Sequence, residues 1–285
     1  MKKYLILMAA ALVAFAACKK DDDKEKKDDA PKDVVEIGGI TYKTVTLSNG
    51  QTWMAEPLRT LPEGATVSED PASEGIVYSY KFTNLTYKED GKTLDTKELV
   101  IAKDEASIKE LGYLYDLKSV FGVEVTADNY LTLEGAQGIC PDGWHIPTHA
   151  DFMALVGSST ATNSSAAATD ETALCYDADY QGAKIALLKE CGFNYTLSGY
   201  ALAGKYGAIP VSKANSTIEE LYGYNSPFNY IVSSTGYTPK TGFQMFGLMT
   251  TFTAAKYPEG RVTLGYMTIN NTKAQVRCIK NDELK

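Results

Sequence analysis

The chain has 285 residues, with 36 acidic side chains against 28 lysines and arginines, and its formal net charge is -8. An acidic chain without a basic cluster is not suited to bind nucleic acid or an anionic lipid surface through charge. The length is enough for one large domain or two small ones. The 19 tyrosines are many, but tyrosine is common both in exported β-rich domains and at binding surfaces.

The first 17 residues have the features of a secretion signal. Two lysines precede the apolar run from Leu5 to Phe15, which is too short to span a bilayer. The run ends at Phe15-Ala16-Ala17-Cys18, and small residues before a cysteine resemble a bacterial lipobox. We therefore predict a signal peptide over residues 1–17 and a diacylglycerol and palmitate anchor on Cys18, where several acyl chains give stable attachment. The alternative is an ordinary signal peptide followed by an unused cysteine.

Residues 18–33 are mostly charged and are predicted to form a flexible tether, because they cannot bury enough apolar surface to fold. Within them, Lys20-Asp21-Asp22 resembles the signal that sends Bacteroidetes lipoproteins to the outer face of the outer membrane. The predicted location is therefore the outer membrane, lipid-anchored and exposed at the cell surface. The alternative is a soluble linker without a sorting role.

Four cysteines remain after Cys18, namely Cys140, Cys175, Cys191 and Cys278. In an oxidising compartment they allow three pairings. We favour Cys140 with Cys278 and Cys175 with Cys191. The chain-entropy account gives the first bond roughly 4–5 kcal/mol and the second about 3 kcal/mol. The alternative for Cys175 and Cys191 is a pair of free, buried thiols.

Strands and turns are predicted through the first half of the folded region. Glycine pairs, alternating apolar residues and capping residues identify them. In chain order we expect a hairpin of residues 34–37 and 40–47 around Gly38-Gly39, a strand over 51–55, a strand over 76–83, a return strand over 98–102, a helix from Asp104 to Leu111, and extended structure over 112–115.

Helix signals follow the stretch Cys140-Pro-Asp-Gly-Trp-His-Ile-Pro-Thr148. Thr148 is a suitable N-cap, Asp151 lies in the favourable first turn, and Gly157 ends the helix. A second helix is predicted from Asp179 to Gly192, followed by short strands and long ordered loops. We expect one domain over residues 34–283, with a hairpin insertion near 60–110.

Five blocks of the sequence, taken together and in order, resemble the Fibrobacter succinogenes major paralogous domain family of exported proteins. They are Tyr42–Val45, Gln51–Glu56, Gly112–Tyr115, Cys140–Thr148 and Val276–Lys280. The resemblance implies an α+β, C-type-lectin-like domain related to formylglycine-generating enzymes, with a twisted antiparallel sheet and two flanking helices. It also implies that Cys140 bonds to Cys278.

No catalytic, cofactor or metal site is predicted. His145 and His149 are the two histidines, and Pro147 between them prevents the helical spacing of a zinc pair. The chain has no Gly-x-Ser-x-Gly nucleophile motif. Glu56-Pro57-Leu58 comes nearest to the triplets of calcium lectins, but leucine cannot coordinate calcium.

The sequence therefore favours a non-catalytic binding or adhesion module with a glycan or a surface protein as its ligand. Candidate contacts are the tyrosines of the 193–245 region, for which half-buried packing is the alternative role: Tyr200, Tyr206, Tyr222, Tyr224 and Tyr230. Two other functions stay open. One is a structural subunit of a surface assembly, and the other is an enzyme related to formylglycine-generating enzymes that would need a reactive cysteine pair.

Overall fold

Short strands make up most of the regular structure. The structure is a computed structural model that describes residues 33–87, 89, 94–157, 173–202, 204–206, 209–211, 229–239, 242–251, 257, 259–268 and 272–282. In chain order the strands are β1 (Val34–Ile37), β2 (Ile40–Thr46), β3 (Thr52–Met54), β4 (Val67–Ser68), β5 (Ile76–Tyr78), β6 (Tyr80–Tyr87), β7 (Leu94–Ile101), β8 (Tyr113–Tyr115), β9 (Trp144–His145), β10 (Ala183–Lys184), β11 (Ala201–Leu202), β12 (Gly204–Tyr206), β13 (Ile209–Val211), β14 (Tyr230–Tyr237), β15 (Gln244–Thr251), β16 (Arg261–Thr268), β17 (Thr272–Lys273) and β18 (Ile279–Lys280).

Four short α-helices and one 3-10 helix accompany these strands in the described part of the chain. The helices are α1 (Glu105–Leu111), α2 (Leu117–Phe121), α3 (His149–Val156) and α4 (Ile185–Glu190), and the 3-10 helix is Tyr130–Leu133. Within the described residues, no helix has the length and apolar character needed to cross a bilayer. The described residues lie in one compact unit, Asp33–Lys285, and strands predominate over helices in it.

A five-stranded antiparallel sheet brings the two ends of the domain together. Its strand order is β1-β2-β3-β18-β9. Ile279 of β18 pairs with Trp53 of β3 on one side and with His145 of β9 on the other. The last strand of the chain therefore lies between an early strand and the strand that precedes α3.

The Cys140–Cys278 disulfide lies beside this sheet and is confirmed. The two α-carbons are 5.8 Å apart, and both cysteines are buried. Cys140 leads into a turn at Gly143, whose φ of 80° suits glycine, and then into β9. Trp144 and Ile146 of the same stretch are buried in the core, as expected for structural residues.

A four-stranded sheet separates two hydrophobic cores. Its order is β10-β16-β15-β14, and its pairing is antiparallel. On one face α3 packs its buried Phe152 and Leu155 in a core with Leu248 and Leu264. The other face contributes Val232, among others, to a second core. Because successive residues of a strand point to opposite faces, one sheet serves both cores.

The start and the end of α3 are as predicted. The Thr148 hydroxyl accepts a hydrogen bond from the Asp151 backbone N–H at 3.1 Å. The Asp151 carboxylate accepts one from the Thr148 backbone N–H at 2.8 Å, which completes a capping box. Gly157 ends the helix in the left-handed conformation.

Three local predictions differ from the structure. The strand expected over residues 76–83 breaks at Ser79, because the buried Ser79 hydroxyl donates to the Gly112 carbonyl at 2.8 Å and divides β5 from β6. The second helix does not begin at Asp179. Asp177 organises a turn by accepting from the Asp179 and Tyr180 backbone N–H groups, and α4 begins only after β10 pairs with β16. Finally, α2 was not expected, although Asp116 caps it through the Ser119 N–H.

Residues 60–110, the range of the predicted hairpin insertion, contain β4 to β7. β6 and β7 form a two-stranded sheet of their own. β5, however, pairs with β8, and its Ile76 and Val77 are buried in the core. The hairpin of β6 and β7 is the part that stands outside the other sheets.

Candidate functional site

The tyrosines selected from the sequence do not form a site among the described residues. Tyr200 and Tyr230 are only 1% and 3% exposed and belong to the hydrophobic core, so their prediction as ligand contacts is wrong. The Tyr230 hydroxyl donates to the Met245 carbonyl at 2.8 Å, which fixes the ring inside. The side chain of Tyr206 and the residues Tyr222, Tyr224 and Cys18 lie outside the described part of the chain.

A different group of aromatic side chains has one member, Tyr266, at the surface and three members that are buried. We call Tyr237, Phe246, Tyr266 and His149 the Tyr266 cluster. The rings of Tyr237 and Tyr266 are stacked, with centroids 4.4 Å apart and an interplanar angle of 25°. Phe246 supports Tyr237 edge-on at 5.4 Å. Tyr266 is 39% exposed, so one large ring in this cluster is presented to solvent.

Strand register brings the cluster together. Phe246 of β15 lies directly opposite Tyr266 of β16, and such pairs share a face of the sheet. Leu248, two residues further along β15, lies in the core beneath α3. α3 therefore covers only part of this face of the four-stranded sheet. The Tyr266 cluster lies on the same face, beyond the first residue of the helix.

Among the described strands, β10 pairs with β16 at Arg261 and Val262, and β15 pairs with β16 from Arg261 to Thr268.

His149 closes the inner end of the cluster. It is the first residue of α3, and its ring centroid lies 4.2 Å from that of Phe246. The side chain is only 8% exposed, and burial lowers the pKa of His149 to about 4, so the imidazole is neutral at neutral pH. Neither ring nitrogen has a hydrogen-bond partner in the described part of the protein. Buried polar atoms of this kind are rare and costly, which marks the position as unusual.

Polar groups continue from His149 toward the surface. The His149 backbone N–H donates to the Thr235 hydroxyl at 2.7 Å. That hydroxyl donates in turn to the Glu134 carboxylate at 2.8 Å, and Glu134 is exposed. The exposed Glu134 carboxylate is therefore linked through Thr235 to the backbone of His149, the inner member of the Tyr266 cluster.

This arrangement can bind but has no evident reactive group. Tyr266 is 39% exposed, and a tyrosine side chain combines an apolar ring with a hydroxyl at its tip. The described residues contain no group of three histidine, cysteine or acidic side chains placed to hold a metal ion. Recognition of a flat, partly apolar and hydroxyl-bearing ligand is the chemistry that these side chains support.

The other histidine, His145, has a structural role. Its Nδ1 lies 2.7 Å from the Asn281 side-chain oxygen, and its Nε2 lies 3.2 Å from the Asp151 carboxylate. Burial by itself lowers the pKa of His145, but hydrogen bonds to Asp151 and Asn281 raise it above the ordinary value. The pKa of Asp151, which burial by itself raises, is held below its ordinary value by hydrogen bonds with His145 and Thr148. This network joins β9, the start of α3 and the segment after β18.

The predicted second disulfide is not formed in the structure. Cys175 and Cys191 are separate thiols with sulfur atoms 3.2 Å apart. Cys175 is buried, and its backbone N–H donates to the Leu155 carbonyl at the end of α3. Cys191 caps the last turn of α4 and is partly exposed. The structure therefore has the alternative arrangement, a pair of free thiols.

Comparison with known protein families gives a match over most of the folded region. The sequence model described as the Fibrobacter succinogenes major domain matches residues 48–280. That range contains the Tyr266 cluster, the Cys140–Cys278 disulfide and both free thiols. No curated protein and no solved structure matches the chain.

Proposed function

Because the chain belongs to the Fibrobacter succinogenes major domain family, we propose that it is a non-catalytic binding or adhesion module, lipid-anchored at the surface of the outer membrane. Its ligand is a glycan that stacks on the Tyr266 cluster. The observation that carries this proposal is the exposed Tyr266 ring, stacked on Tyr237 and supported by Phe246. Surface proteins with an exposed aromatic or proline residue are the second ligand class.

The proposed fold within this family is C-type-lectin-like. In such a domain the terminal regions pair with each other. Two features are consistent with it here, the pairing of β3 with β18 and the disulfide that joins Cys140 to Cys278. The sequence lacks the residue triplet with which calcium lectins bind sugar hydroxyls through a metal ion. We therefore propose that the sugar stacks on an aromatic ring instead.

The chemistry of the cluster favours a neutral glycan. Sugar rings have an apolar C–H face that packs on aromatic rings, and their hydroxyls donate to carboxylates such as Glu134. The net charge of -8 disfavours acidic polysaccharides, because like charges repel. A neutral oligosaccharide therefore fits the surface better than a sulfated or uronic one.

A glycan array with the mature protein, followed by calorimetry on the strongest ligands, tests the proposal. We expect Tyr266→Ala to weaken binding at least about tenfold, which corresponds to 1.4 kcal/mol, because the stacking surface is lost. Tyr266→Phe keeps the ring and should retain most of the affinity. Leu61→Ala is the matched control, because Leu61 is 37% exposed and lies outside the cluster. Binding to no glycan, or equal binding by wild type and Tyr266→Ala, would contradict the proposal.

The lipid anchor is tested separately. Metabolic labelling with palmitate should mark the wild-type protein but not a Cys18→Ala variant, because the thiol of Cys18 carries the proposed diacylglycerol. Protease treatment of intact cells should then degrade the wild-type protein if it faces the medium. Labelling of Cys18→Ala, or full protection from protease, would argue against the anchor or against surface exposure.

A further inference from the structure

Cys175 and Cys191 form a cluster that the proposed binding function does not use. Their sulfur atoms are 3.2 Å apart, whereas Cys140 and Cys278 are already joined. Two thiols at this distance can be joined with little movement of the backbone. The pair therefore provides a second place where the domain can gain or lose a covalent bond.

We propose that Cys175 and Cys191 are an exchangeable dithiol, in which Cys191 reacts first with an external disulfide and Cys175 then completes the intramolecular bond. The reaction partner is a low-molecular-weight disulfide or the disulfide of a thiol oxidoreductase. This proposal is independent of glycan binding at the Tyr266 cluster.

The unequal exposure of the two thiols sets the order of reaction. Cys191, at the end of α4, is the more exposed of the two residues, so we take its sulfur as the one that an external disulfide meets first. Cys175 is buried between α3 and α4, with its thiol directed at Cys191 and at the Leu187 carbonyl. An incoming reagent therefore meets Cys191, while Cys175 is already placed to attack it.

The hydrogen bonds of the pair favour the same order. The Cys175 thiol donates to the Cys191 sulfur, and the backbone N–H of Phe193 also stabilises a Cys191 thiolate. Together these lower the pKa of Cys191 below its ordinary value. The same contact raises the pKa of the Cys175 thiol, and burial adds to that effect. Since the thiolate is the nucleophile, Cys191 is the more reactive member of the pair.

The chemistry balances in two exchange steps. First, the Cys191 thiol loses its proton to water, and its thiolate attacks one sulfur of the external disulfide, forms a mixed disulfide and releases one external thiolate, which takes up a proton. Second, Cys175 loses its proton to water, and its thiolate attacks the Cys191 sulfur and releases the second external thiolate, which also takes up a proton. Two cysteine thiols are oxidised to one disulfide, and the external disulfide is reduced to two thiols.

The test uses the mature protein in its folded state, mildly reduced and then exposed to oxidised glutathione. After acid quenching, peptide mapping should show a Cys175–Cys191 disulfide in the wild type. A Cys175→Ser variant should carry one glutathione on Cys191, because the resolving thiol is missing. A Cys191→Ser variant should carry none on Cys175. The Cys140–Cys278 bond is the internal control and should stay intact throughout.

Alkylation of the reduced, folded wild type keeps the test independent of the variants. Iodoacetamide should modify Cys191 at least about tenfold faster than Cys175, in keeping with the difference in exposure and thiolate content. Equal rates for the two cysteines would overturn the proposal. So would glutathione on Cys175 of the Cys191→Ser variant, or a Cys175–Cys191 bond that resists reductant until the protein unfolds.

Discussion

His149 shows how one side chain links the fold to the candidate site. It is the first residue of α3, and it packs against Phe246 with both ring nitrogens buried and without a hydrogen-bond partner in the described residues. The ring contributes apolar packing and holds the inner end of the Tyr266 cluster. Because it must remain neutral to stay buried, its presence makes the stability of the domain depend on pH.

The pH dependence of His149 has a definite sign. Its folded-state pKa of about 4 lies below the unfolded value of 6.5, so between these two pH values the unfolded chain binds a proton that the folded chain does not. The free energy of unfolding should therefore fall as the pH falls through this window, by up to about 3 kcal/mol. Urea unfolding at a series of pH values measures this loss, and a His149→Phe variant should show most of it removed.

His145 supplies the control for that experiment. Its folded pKa is raised, so its contribution is complete below about pH 6.5 and is lost as the pH rises through the folded value. The stabilising contribution of Asp151 is lost only as the pH falls through a folded pKa below 3.8. The His145→Asn variant should therefore still lose free energy of unfolding as the pH falls from 6.5 to about 4, because His149 is unchanged in it. If the His149→Phe variant lost as much free energy of unfolding as the wild type in this pH range, the loss could not be assigned to His149.

At the scale of elements, α3 holds the site in place. Its inner face packs on the four-stranded sheet through Phe152 and Leu155, and Trp53 stacks on Phe152 with ring centroids 5.6 Å apart. Its first turn is fixed by the Thr148–Asp151 capping box and by the contact of Asp151 with His145. The position of His149 beneath Phe246 depends on this start of the helix.

Loss of the cap should therefore be measurable. We expect Thr148→Ala to reduce the free energy of unfolding by about 1–2 kcal/mol, because the Asp151 N–H loses its acceptor at the helix start. Thr148→Ser retains the hydroxyl and should stay within about 0.5 kcal/mol of the wild type. Urea unfolding followed by circular dichroism gives both values. Equal stability of the alanine and serine variants would show that the cap is not important.

Local patterns in the sequence predicted the elements whose determinants are close in the chain. The Gly38-Gly39 hairpin, the cap at Thr148 and the end of α3 at Gly157 are confirmed. The break at Ser79 could not be read from alternation, because it depends on a hydrogen bond to Gly112, which is distant in sequence. The late start of α4 likewise depends on the pairing of Ala183 with Val262 in β16.

The Tyr266 cluster could not be predicted from the sequence for a related reason. Tyr237, Phe246 and Tyr266 lie on three different strands, and the register of those strands alone brings them together. The high frequency of tyrosine in the 193–245 region carries no information about which of these side chains are buried. The Tyr230 hydroxyl donates a hydrogen bond to the backbone carbonyl of Met245, and this contact holds the ring in the core. The contact also depends on strand pairing.

At the scale of the whole molecule, contacts between distant segments hold the ends of the domain together. β18 lies between β3 and β9, and the Cys140–Cys278 bond joins segments 138 residues apart. Next to that bond, the buried Arg277 donates hydrogen bonds to the carbonyls of Met54, Phe193 and Asn194. The C-terminal segment thus connects the first sheet with the chain that follows α4.

Removal of the disulfide should weaken this closure. A double variant with Cys140→Ser and Cys278→Ser is expected to lose about 3–5 kcal/mol of stability, because the unfolded chain is no longer constrained by the long loop. Thermal or urea unfolding of the oxidised wild type and the variant measures the loss. The matched double variant with Cys175→Ser and Cys191→Ser should lose less under reducing conditions. Equal losses in the two variants would contradict a special role for the terminal bond.

Nuclear magnetic resonance of the tyrosine rings tests whether the Tyr266 cluster binds the ligand. The mature protein with ¹³C-labelled tyrosine is titrated with the strongest glycan from the array, and the Tyr266 signal is assigned from the Tyr266→Phe variant. We expect saturable shifts of the Tyr266 and Tyr237 ring signals with one common Kd. Saturable binding that leaves both signals unchanged would contradict this expectation.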